Sequence, residues 1–464
     1  MVRGEGHRYY VDDIVPGRAE ASPVAGESPG VWSGRGAMAL GLDGLVEAPV
    51  FASLLEGRHP QSGRTLGRPR GDRRVSGYDL TFGAPKSVSI LAMLAPGEIA
   101  AAVGAGHRAA VEEAAGYLGR SAVGVRRSHR GVVAYLPSTG MVAGSFVHRT
   151  SRALDPHLHT HLVMANVAQG VDGRWSAVDS RRVFVHAPAT QAVYHARLRL
   201  ELTDRLGAAW AVRPSGLGDV VGVDARLRRL FSTRTSAIDE YVHSRQGVPA
   251  APGGSRGAFH ATRPDKDRSR SVDSLLEEWR GRAADFGHDL GDLTRAVGLG
   301  GHPGPGTPTT VFDPERISVQ LQALAGDHRA LRPRDLVALV ATSSTRGAGA
   351  ADIESTALRI AGACRASRTG TDPGKGAPNR GDDAQDRWPA SQVLQVVEDS
   401  TGRLLDGGLE DSGRIARTGR MDPFGREGPG PSGPDAPGPG ARGWDGVGRD
   451  ERSPELELSV QLGR

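Results

Sequence analysis

The segment FVHRTSRALDPHLHTHLVMAN, residues 146–166, limits the possible folds of the chain more than any other. It overlaps two stretches with strand character, 131–149 and 157–168. The seven residues TSRALDP between them are few enough to return the second strand beside the first. The segment therefore predicts two adjacent antiparallel strands within a sheet.

Histidines are concentrated on this predicted pair of strands. Side chains two residues apart on a strand point to the same face, so His159 and His161 project together, and His148 on the preceding strand can reach the same point. Three neutral imidazoles suffice to bind a divalent cation and leave positions open for substrate oxygens. His157 shares the face by parity, so four histidines compete for three places. The alternative is a group of surface or core histidines that holds no metal.

Strands and helices are predicted along most of the first 340 residues. A strand, a tight Gly-Ala-Pro turn and a second element are predicted for residues 75–95. An Ala-rich helix is predicted from Pro96 to Leu118 because proline and an acidic residue suit its first turn. Further helices are predicted at 189–206, 272–286, 313–324 and 334–341. The expected fold class is α/β of the α+β type, an antiparallel sheet with helices.

Glycine and proline set the expected limits of the folded part. The chain has 65 glycines and 30 prolines, which are concentrated toward the C-terminus, where apolar periodicity fades. We predict a main domain over residues 1–290, a helical extension or linker over 291–345, and a Gly/Pro-rich disordered tail over 346–464.

Several classes of protein are excluded by the composition. No uncharged apolar run is long enough to span a membrane, and the N-terminal sequence does not look like a signal peptide, which predicts a cytoplasmic protein without membrane insertion. The single cysteine, Cys364, cannot form an internal disulfide or a cysteine-based zinc site. Any metal must therefore be bound by histidine or carboxylate. A net charge of +5 is only a weak indication of nucleic acid as partner.

Eight segments together carry a resemblance to a known family. They are YY at 9–10, GVWSGRGAMALGL at 30–42, YDLTFGAPKSVS at 78–89, the histidine segment at 146–166, DGRWSAVD at 172–179, HARLRLELTDRLGAAW at 195–210, FSTR at 231–234 and ATRPDKD at 261–267. On these segments the chain resembles the TrwC/TraI-type conjugative relaxases, the class of HUH endonucleases with paired tyrosines. The resemblance extends over nearly all of residues 9–290 and implies the relaxase-like sheet.

The resemblance implies an enzyme that nicks single-stranded or hairpin DNA at a transfer origin and stays bonded to the 5′ end. Tyr9 or Tyr10 would supply the nucleophile, and Asp79 would be the acidic residue beside the metal. A coupling protein of a type IV secretion system is a further expected partner. The family usually has Gln at the position of His157, so the implied ligands are His148, His159 and His161.

The chemistry of these residues agrees with the implied reaction. A tyrosine phenol has a pKa of about 10 and needs assistance to attack at neutral pH. One divalent ion, Mg, Mn or Zn, would withdraw charge from the scissile phosphate and fix its position. Asp79 can accept the second ring N–H of a metal-binding histidine or take the phenolic proton, and the sequence does not choose between these roles.

Basic residues near these segments are candidates for DNA binding. Lys86 is the only lysine in the first 265 residues, and its compact ammonium group suits a phosphate, but it fits a solvated turn equally well. Arg149 and Arg152 flank the histidine segment and suit backbone phosphates, as do Arg126 and Arg127. At any one of these positions, however, an arginine is more often a solvated charge or part of a fold-stabilising ion pair.

The sequence also departs from the family pattern. After Tyr10 the next tyrosine is Tyr78, the N-terminal stretch MVRGEGHR is short and polar for a first strand, and the ATP-binding loop of a helicase is absent. Two alternatives to an active relaxase therefore stay open. One is a truncated relative that binds origin DNA without cutting it, and the other is an unrelated three-histidine hydrolase or cupin-like protein.

Overall fold

A computed structural model describes residues 29–67, 75–243, 270–298, 312–327, 329–369 and 386–399. The strands are β1 Val31–Ser33, β2 Gly77–Gly83, β3 Gly124–His129, β4 Val132–Pro137, β5 Ala143–Thr150, β6 Pro156–Ala165, β7 Ala168–Gln169, β8 Trp175–Ser176, β9 Trp210–Val212, β10 Gly218–Val220, β11 Ala330–Leu331 and β12 Trp388–Pro389. The helices are α1 Arg35–Ala39, α2 Ala48–Leu55, α3 Lys86–Leu94, α4 Gly97–Ser121, α5 Ser180–Leu206, α6 Ala225–Leu230, α7 Thr233–His243, α8 Val272–Asp285, α9 Gly291–Ala296, α10 Pro314–Gly326, α11 Pro333–Ser343, α12 Ala350–Thr369 and α13 Ala390–Asp399.

The main sheet has four antiparallel strands in the order β1-β5-β6-β2. The predicted pair of strands around the histidines is confirmed as β5 and β6, which pair His148 with His159 and Phe146 with His161. The register shifts between His148 and Thr150, at the end of β5. Because β6 is central, both of its edges are hydrogen-bonded along the stretch that carries the histidines.

The two faces of this sheet have different surroundings. One face presents Leu80, Phe82 and Leu162 to a layer of helices in which α4 and α5 pack along each other. The opposite face carries Phe146 and Val163, which belong to a smaller core under α1 and α2. The histidines are on this second face, beyond the end of the smaller core. Alternation along the strands thus separates the helix-facing core from the histidine side chains.

Two predicted elements differ in their limits. The predicted strand at 131–149 is two strands, β4 and β5, separated by a turn in which Gly140 has φ of 131°, and a Cβ there would lie 2.8 Å from Cβ of Arg35. The helix predicted at 189–206 is longer than predicted. It begins at Ser180 and continues through Pro188. Proline in a helix removes one hydrogen bond, and burial of the surrounding apolar side chains compensates for that loss.

The predicted disordered tail is wrong for its first part. Helices α12 and α13 lie within residues 346–399, and their buried side chains join the same core as the helices that cover the sheet. The buried positions of α12 follow a helical period but are largely small residues, and they include Ile353, Ala357, Ile360, Ala361 and Cys364. Their low hydrophobicity hides the pattern in the sequence. Residues 400–464 lie outside the described part.

The predicted boundary at residue 290 does not separate two cores. Helix α11 packs on α5, and residues before and after 290 share one continuous hydrophobic core. The Arg199 side chain of α5 reaches the end of α11, where its guanidinium donates to the carbonyls of Ala341 and Ser344. In the described part of the chain, no helix combines the length and apolar character that crossing a membrane requires.

Candidate metal centre

The imidazoles of His148, His159 and His161 face one another on β5 and β6. Their ring centroids are 5.0 to 5.3 Å apart in all three pairings. One nitrogen from each ring can be chosen so that all three lie within 4.8 Å of one another. Among the described residues, this is the one group of three or more potential metal ligands. The structure thus brings together the three histidines that the sequence singled out.

Hydrogen bonds orient two of these rings. Nδ1 of His161 donates to Oδ1 and Oδ2 of Asp79 at 3.0 and 2.9 Å, and Thr81 Oγ1 lies 3.3 Å from the same nitrogen. Nδ1 of His159 donates to the carbonyl of His157 at 2.9 Å. Each bond places the proton on Nδ1 and leaves the Nε2 lone pair available to a cation. Of the two roles that the sequence left open for Asp79, this geometry is that of orienting a histidine.

His157 belongs to the support of the cluster. Its ring stacks on that of His159, with centroids 4.6 Å apart and planes at 25°. Burial lowers the pKa of His157 to about 3, and the nearby Lys86 contributes to the lowering. Burial also lowers the pKa of His159 well below its ordinary value. Both imidazoles are therefore neutral near pH 7, and neutral imidazole is the form that binds metals.

The donor set fits a divalent cation. Metal–imidazole bonds are about 2.0–2.1 Å long for zinc, so three nitrogens within 4.8 Å of one another need only a small inward movement to share one ion. The three come from two adjacent strands, whose backbone pairing holds them on one face. The bonds to Asp79 and to a backbone carbonyl supply the outer hydrogen bonds that metal-binding histidines usually make.

The motif GAPKSVS, at the turn from β2 to α3, is hydrogen-bonded to the first half of β6. Lys86 Nζ donates to the carbonyl of Pro156 at 2.7 Å, and Leu158 N donates to Ser89 Oγ at 3.0 Å. Ala84 N donates to the carbonyl of Leu158 at 2.9 Å. Burial lowers the pKa of Lys86 to about 8, against the opposing effect of Asp155. Lys86 thus uses one of its three N–H donors to hold the strand that carries the histidines.

The loop between β5 and β6 is also held in place. Asp155 accepts from Thr233 N and Oγ1 at 2.9 and 3.0 Å, at the start of α7. Trp279 of α8 donates its indole N–H to the carbonyl of Leu154 at 2.8 Å. Arg149 and Arg152 lie at the end of β5 and in this loop, within a few residues of His148. The two arginines therefore lie on the supported turn that follows His148.

The remaining candidate residues have a different status. Tyr9 and Tyr10 lie outside the described residues, as does the segment at 261–267. Arg127 forms a bidentate ion pair with Asp172, with hydrogen bonds of 2.7 and 2.9 Å, which fits the ion-pair alternative for that arginine.

Sequence reasoning missed two residues near the cluster. Thr81 lies directly opposite His161 on β2. His107 is fully buried on α4 behind the central strand. The sequence does indicate that His107 is buried. It lies four residues after Val103 and three before Ala110, on the apolar face of the same helix. A histidine there has to find polar partners within the core.

Comparison with known proteins gives a consistent result. The family model described as TrwC relaxase matches residues 3–286, more than half of the chain. The multifunctional conjugation protein TraI of Escherichia coli is 35% identical over 251 residues, covering 52% of this chain and 13% of TraI. The chain thus corresponds to a small part of that relative. The TraI of Escherichia coli strain K12 gives the same identity and coverage.

Solved structures of the conjugative relaxase TrwC in complex with oriT DNA have the same fold. A metal-bound structure has a TM-score of 0.53 at 29% identity and covers 62% of this chain and 98% of its own. A copper-bound structure gives a TM-score of 0.54 with the same identity and coverage. A metal-free structure gives a TM-score of 0.51 at 32% identity, with 56% and 92% covered. These structures confirm the predicted fold class.

Proposed function

This chain belongs to the TrwC relaxase family, and from that membership we propose that it nicks one DNA strand at a transfer origin and becomes covalently attached to the 5′ end. The observation that carries the proposal is the cluster of His148, His159 and His161 with Asp79 bonded to His161. Three converging imidazoles, one of them bonded to a buried carboxylate, form a ligand set for a cation that can act on phosphate oxygens.

In this proposal the three histidines hold one divalent cation through nitrogens that converge on one point. When bound, the cation neutralises charge on the scissile phosphate and fixes that phosphate for in-line attack. A set of three imidazole nitrogens favours Zn²⁺ over Mg²⁺ and Mn²⁺, which both suit oxygen ligands better. Asp79 keeps His161 in the required tautomer, and the stacked His157 limits rotation of His159.

The proposed nucleophile is Tyr9, the first tyrosine of the pair, with Tyr10 as its alternative. The phenolic oxygen forms a bond to phosphorus while the bond from phosphorus to the 3′ oxygen breaks. The phenol loses its proton to solvent, and the departing oxygen takes one to become a 3′-hydroxyl. Because no water is consumed, the phosphodiester energy is retained in the tyrosine ester, and a later 3′-hydroxyl can reverse the reaction.

We further propose that Lys86, Arg149 and Arg152 face the DNA backbone. Arg149 follows His148 on β5, Arg152 lies in the loop after β5, and Lys86 at the start of α3 bonds to the carbonyl of Pro156 on β6. Cationic side chains there would attract the phosphates that flank the scissile one, and binding should weaken as salt increases.

A coupling protein of a type IV secretion system is the proposed partner that receives the DNA-linked chain. Co-purification of the two proteins from a conjugating host tests this proposal.

The experiment that tests the activity is covalent capture of DNA. The protein is incubated with Mn²⁺ and random-sequence single-stranded oligonucleotides, and molecules that stay attached in denaturant are recovered, sequenced and mapped to a peptide. We expect attachment of a 5′ phosphate to Tyr9, its loss in Tyr9→Phe and in the double variant His159→Ala/His161→Ala, and its retention in Tyr10→Phe.

Two other results of this experiment contradict the proposal. Cleavage without protein-linked DNA indicates a hydrolase in which activated water attacks. Tight, salt-sensitive binding without any adduct indicates the non-cleaving relative that binds origin DNA.

A further inference from the structure

Beneath the metal-binding strand lies a buried chain of three polar side chains. Nε2 of His107, on α4, lies 2.7 Å from Oγ1 of Thr160, and its Nδ1 lies 2.9 Å from the hydroxyl of Tyr194 on α5. The side chains of His107, Thr160 and Tyr194 are at most 1% exposed. Two helices and the central strand of the sheet are thereby joined through one imidazole.

Thr160 lies between His159 and His161 on β6. Its side chain points to the helix layer, whereas the two histidines point to the opposite face. Any displacement of Thr160 along the direction normal to the sheet therefore carries both histidines with it. The backbone bonds to β5 and β2 lie in the plane of the sheet, whereas the contact between Thr160 and His107 comes from the helix layer on one face of it.

We propose that His107 is a positioning residue for the metal centre, and that through Thr160 it fixes the position of the strand segment that carries His159 and His161. This inference rests on the proposed metal site. Metal–ligand distances vary by only about 0.2 Å. A directional hydrogen bond directly behind the ligands fixes the strand position more closely than apolar packing does.

The chemistry of the three groups supports a rigid link. Burial lowers the pKa of His107 to about 3, and burial raises the pKa of Tyr194 well above its ordinary value, so both groups are neutral. A neutral imidazole has one donor and one acceptor nitrogen, and it therefore satisfies one hydroxyl on each side. The Tyr194 ring also packs on Phe82 of β2, with centroids 5.4 Å apart, directly across from Thr160.

A second buried histidine and tyrosine join the same two helices. The hydroxyl of Tyr117 on α4 lies 3.2 Å from Nδ1 of His186 on α5. This pair is ten residues further along α4 than His107, about 15 Å at 1.5 Å per residue. The pair of Tyr117 and His186 therefore also links the two helices. In His107, the second nitrogen bonds in addition to Thr160 on β6.

The test compares metal binding in matched variants. Thr160→Val removes the hydroxyl without changing the shape, and Thr160→Ser restores a hydroxyl. Tyr194→Phe removes the other partner of His107, and Tyr117→Phe is its control between the same helices. We measure Mn²⁺ affinity by calorimetry, the visible absorption spectrum of bound Co²⁺, and the unfolding free energy of the metal-free proteins.

We expect Thr160→Val and Tyr194→Phe to weaken Mn²⁺ binding about tenfold and to alter the Co²⁺ spectrum, as loss of a supporting hydrogen bond near a metal typically does. Thr160→Ser and Tyr117→Phe should keep the parental affinity and spectrum. If Thr160→Val and Tyr194→Phe lower stability but leave affinity and spectrum unchanged, the bond is only structural and the inference is wrong. If the parent protein itself takes up neither ion, the proposed metal site fails, and this inference fails with it.

Discussion

Oδ2 of Asp79 lies 2.9 Å from Nδ1 of His161, although the two residues are 82 positions apart in the sequence. The pairing of β2 with β6 brings them together, since Asp79 is opposite Val163 and reaches diagonally across to the histidine. The carboxylate is buried, with 2% of the residue exposed. Such a contact fixes the tautomer of the histidine and raises its basicity toward a cation.

Removal of the Asp79 carboxylate should weaken metal binding. Asp79→Ala leaves Nδ1 of His161 without its strongest acceptor, and we expect Mn²⁺ affinity to fall by about 10- to 100-fold, with a smaller loss for Asp79→Asn, which keeps an oxygen acceptor. Calorimetric titration measures the effect. Asp172→Asn, at the exposed carboxylate that binds Arg127, is the control and should leave the affinity unchanged. Equal affinity in Asp79→Ala and the parent would contradict the orienting role.

The ligands themselves are tested by metal content. Changing His159 and His161 to Ala should bring bound metal in the purified protein toward zero, because one imidazole cannot hold the ion alone. His157→Ala is the informative comparison, since its ring stacks on His159 but lies outside the cluster. We expect this variant to retain one metal ion per chain. Loss of metal in His157→Ala with retention in His159→Ala would show that the ligand set is wrongly assigned.

Much of this centre follows from the sequence because its parts are local. The parity of His159 and His161 and the short return loop require only the geometry of adjacent strands. The bond from Asp79 needs the register between β2 and β6, which the sequence does not state, and its position beside the metal came from family resemblance. His107 could not be assigned a role, because its partners lie on β6 and α5, 53 and 87 positions away.

The C-terminal helices should contribute to stability. Ile353 and Ile360 of α12 and Val393 of α13 are fully buried in the main core. A chain ending at residue 345 should therefore unfold at a lower urea concentration than one ending at residue 399, with a loss of about 2 kcal/mol or more, since each large buried side chain is worth roughly that amount. If the two chains are equally stable, the packing of α12 and α13 makes no energetic contribution.

Arg199 should be a strong stabilising residue of α5. Its buried guanidinium donates to the carbonyls of Gly216, Ala341 and Ser344. Arg199→Met leaves these carbonyls without a donor, and we expect a loss of about 3 kcal/mol in unfolding free energy. Arg205→Met on the same helix removes one ion pair of Glu201, whose carboxylate keeps Arg197 as a partner, and should cost less than ~1 kcal/mol. Similar losses in both variants would show that Arg199 does not cap the end of α11.

Stability should fall in acid partly because of His107. Its pKa is lowered from 6.5 to about 3 by burial, so between these values the unfolded chain binds a proton that the native chain does not. Unfolding free energy therefore decreases as pH falls through this window, and His107 alone contributes a slope of about 1.4 kcal/mol per pH unit. His107→Gln replaces the ring with a neutral amide and should reduce the slope by that amount.

Urea unfolding at several pH values between 6 and 4, with chelator present to remove metal, measures the slopes of both proteins. Because the slopes are compared, any constant loss of stability from the substitution cancels. Parallel curves for the parent and His107→Gln would mean that His107 is protonated in the native protein, contrary to its burial between Tyr194 and Thr160.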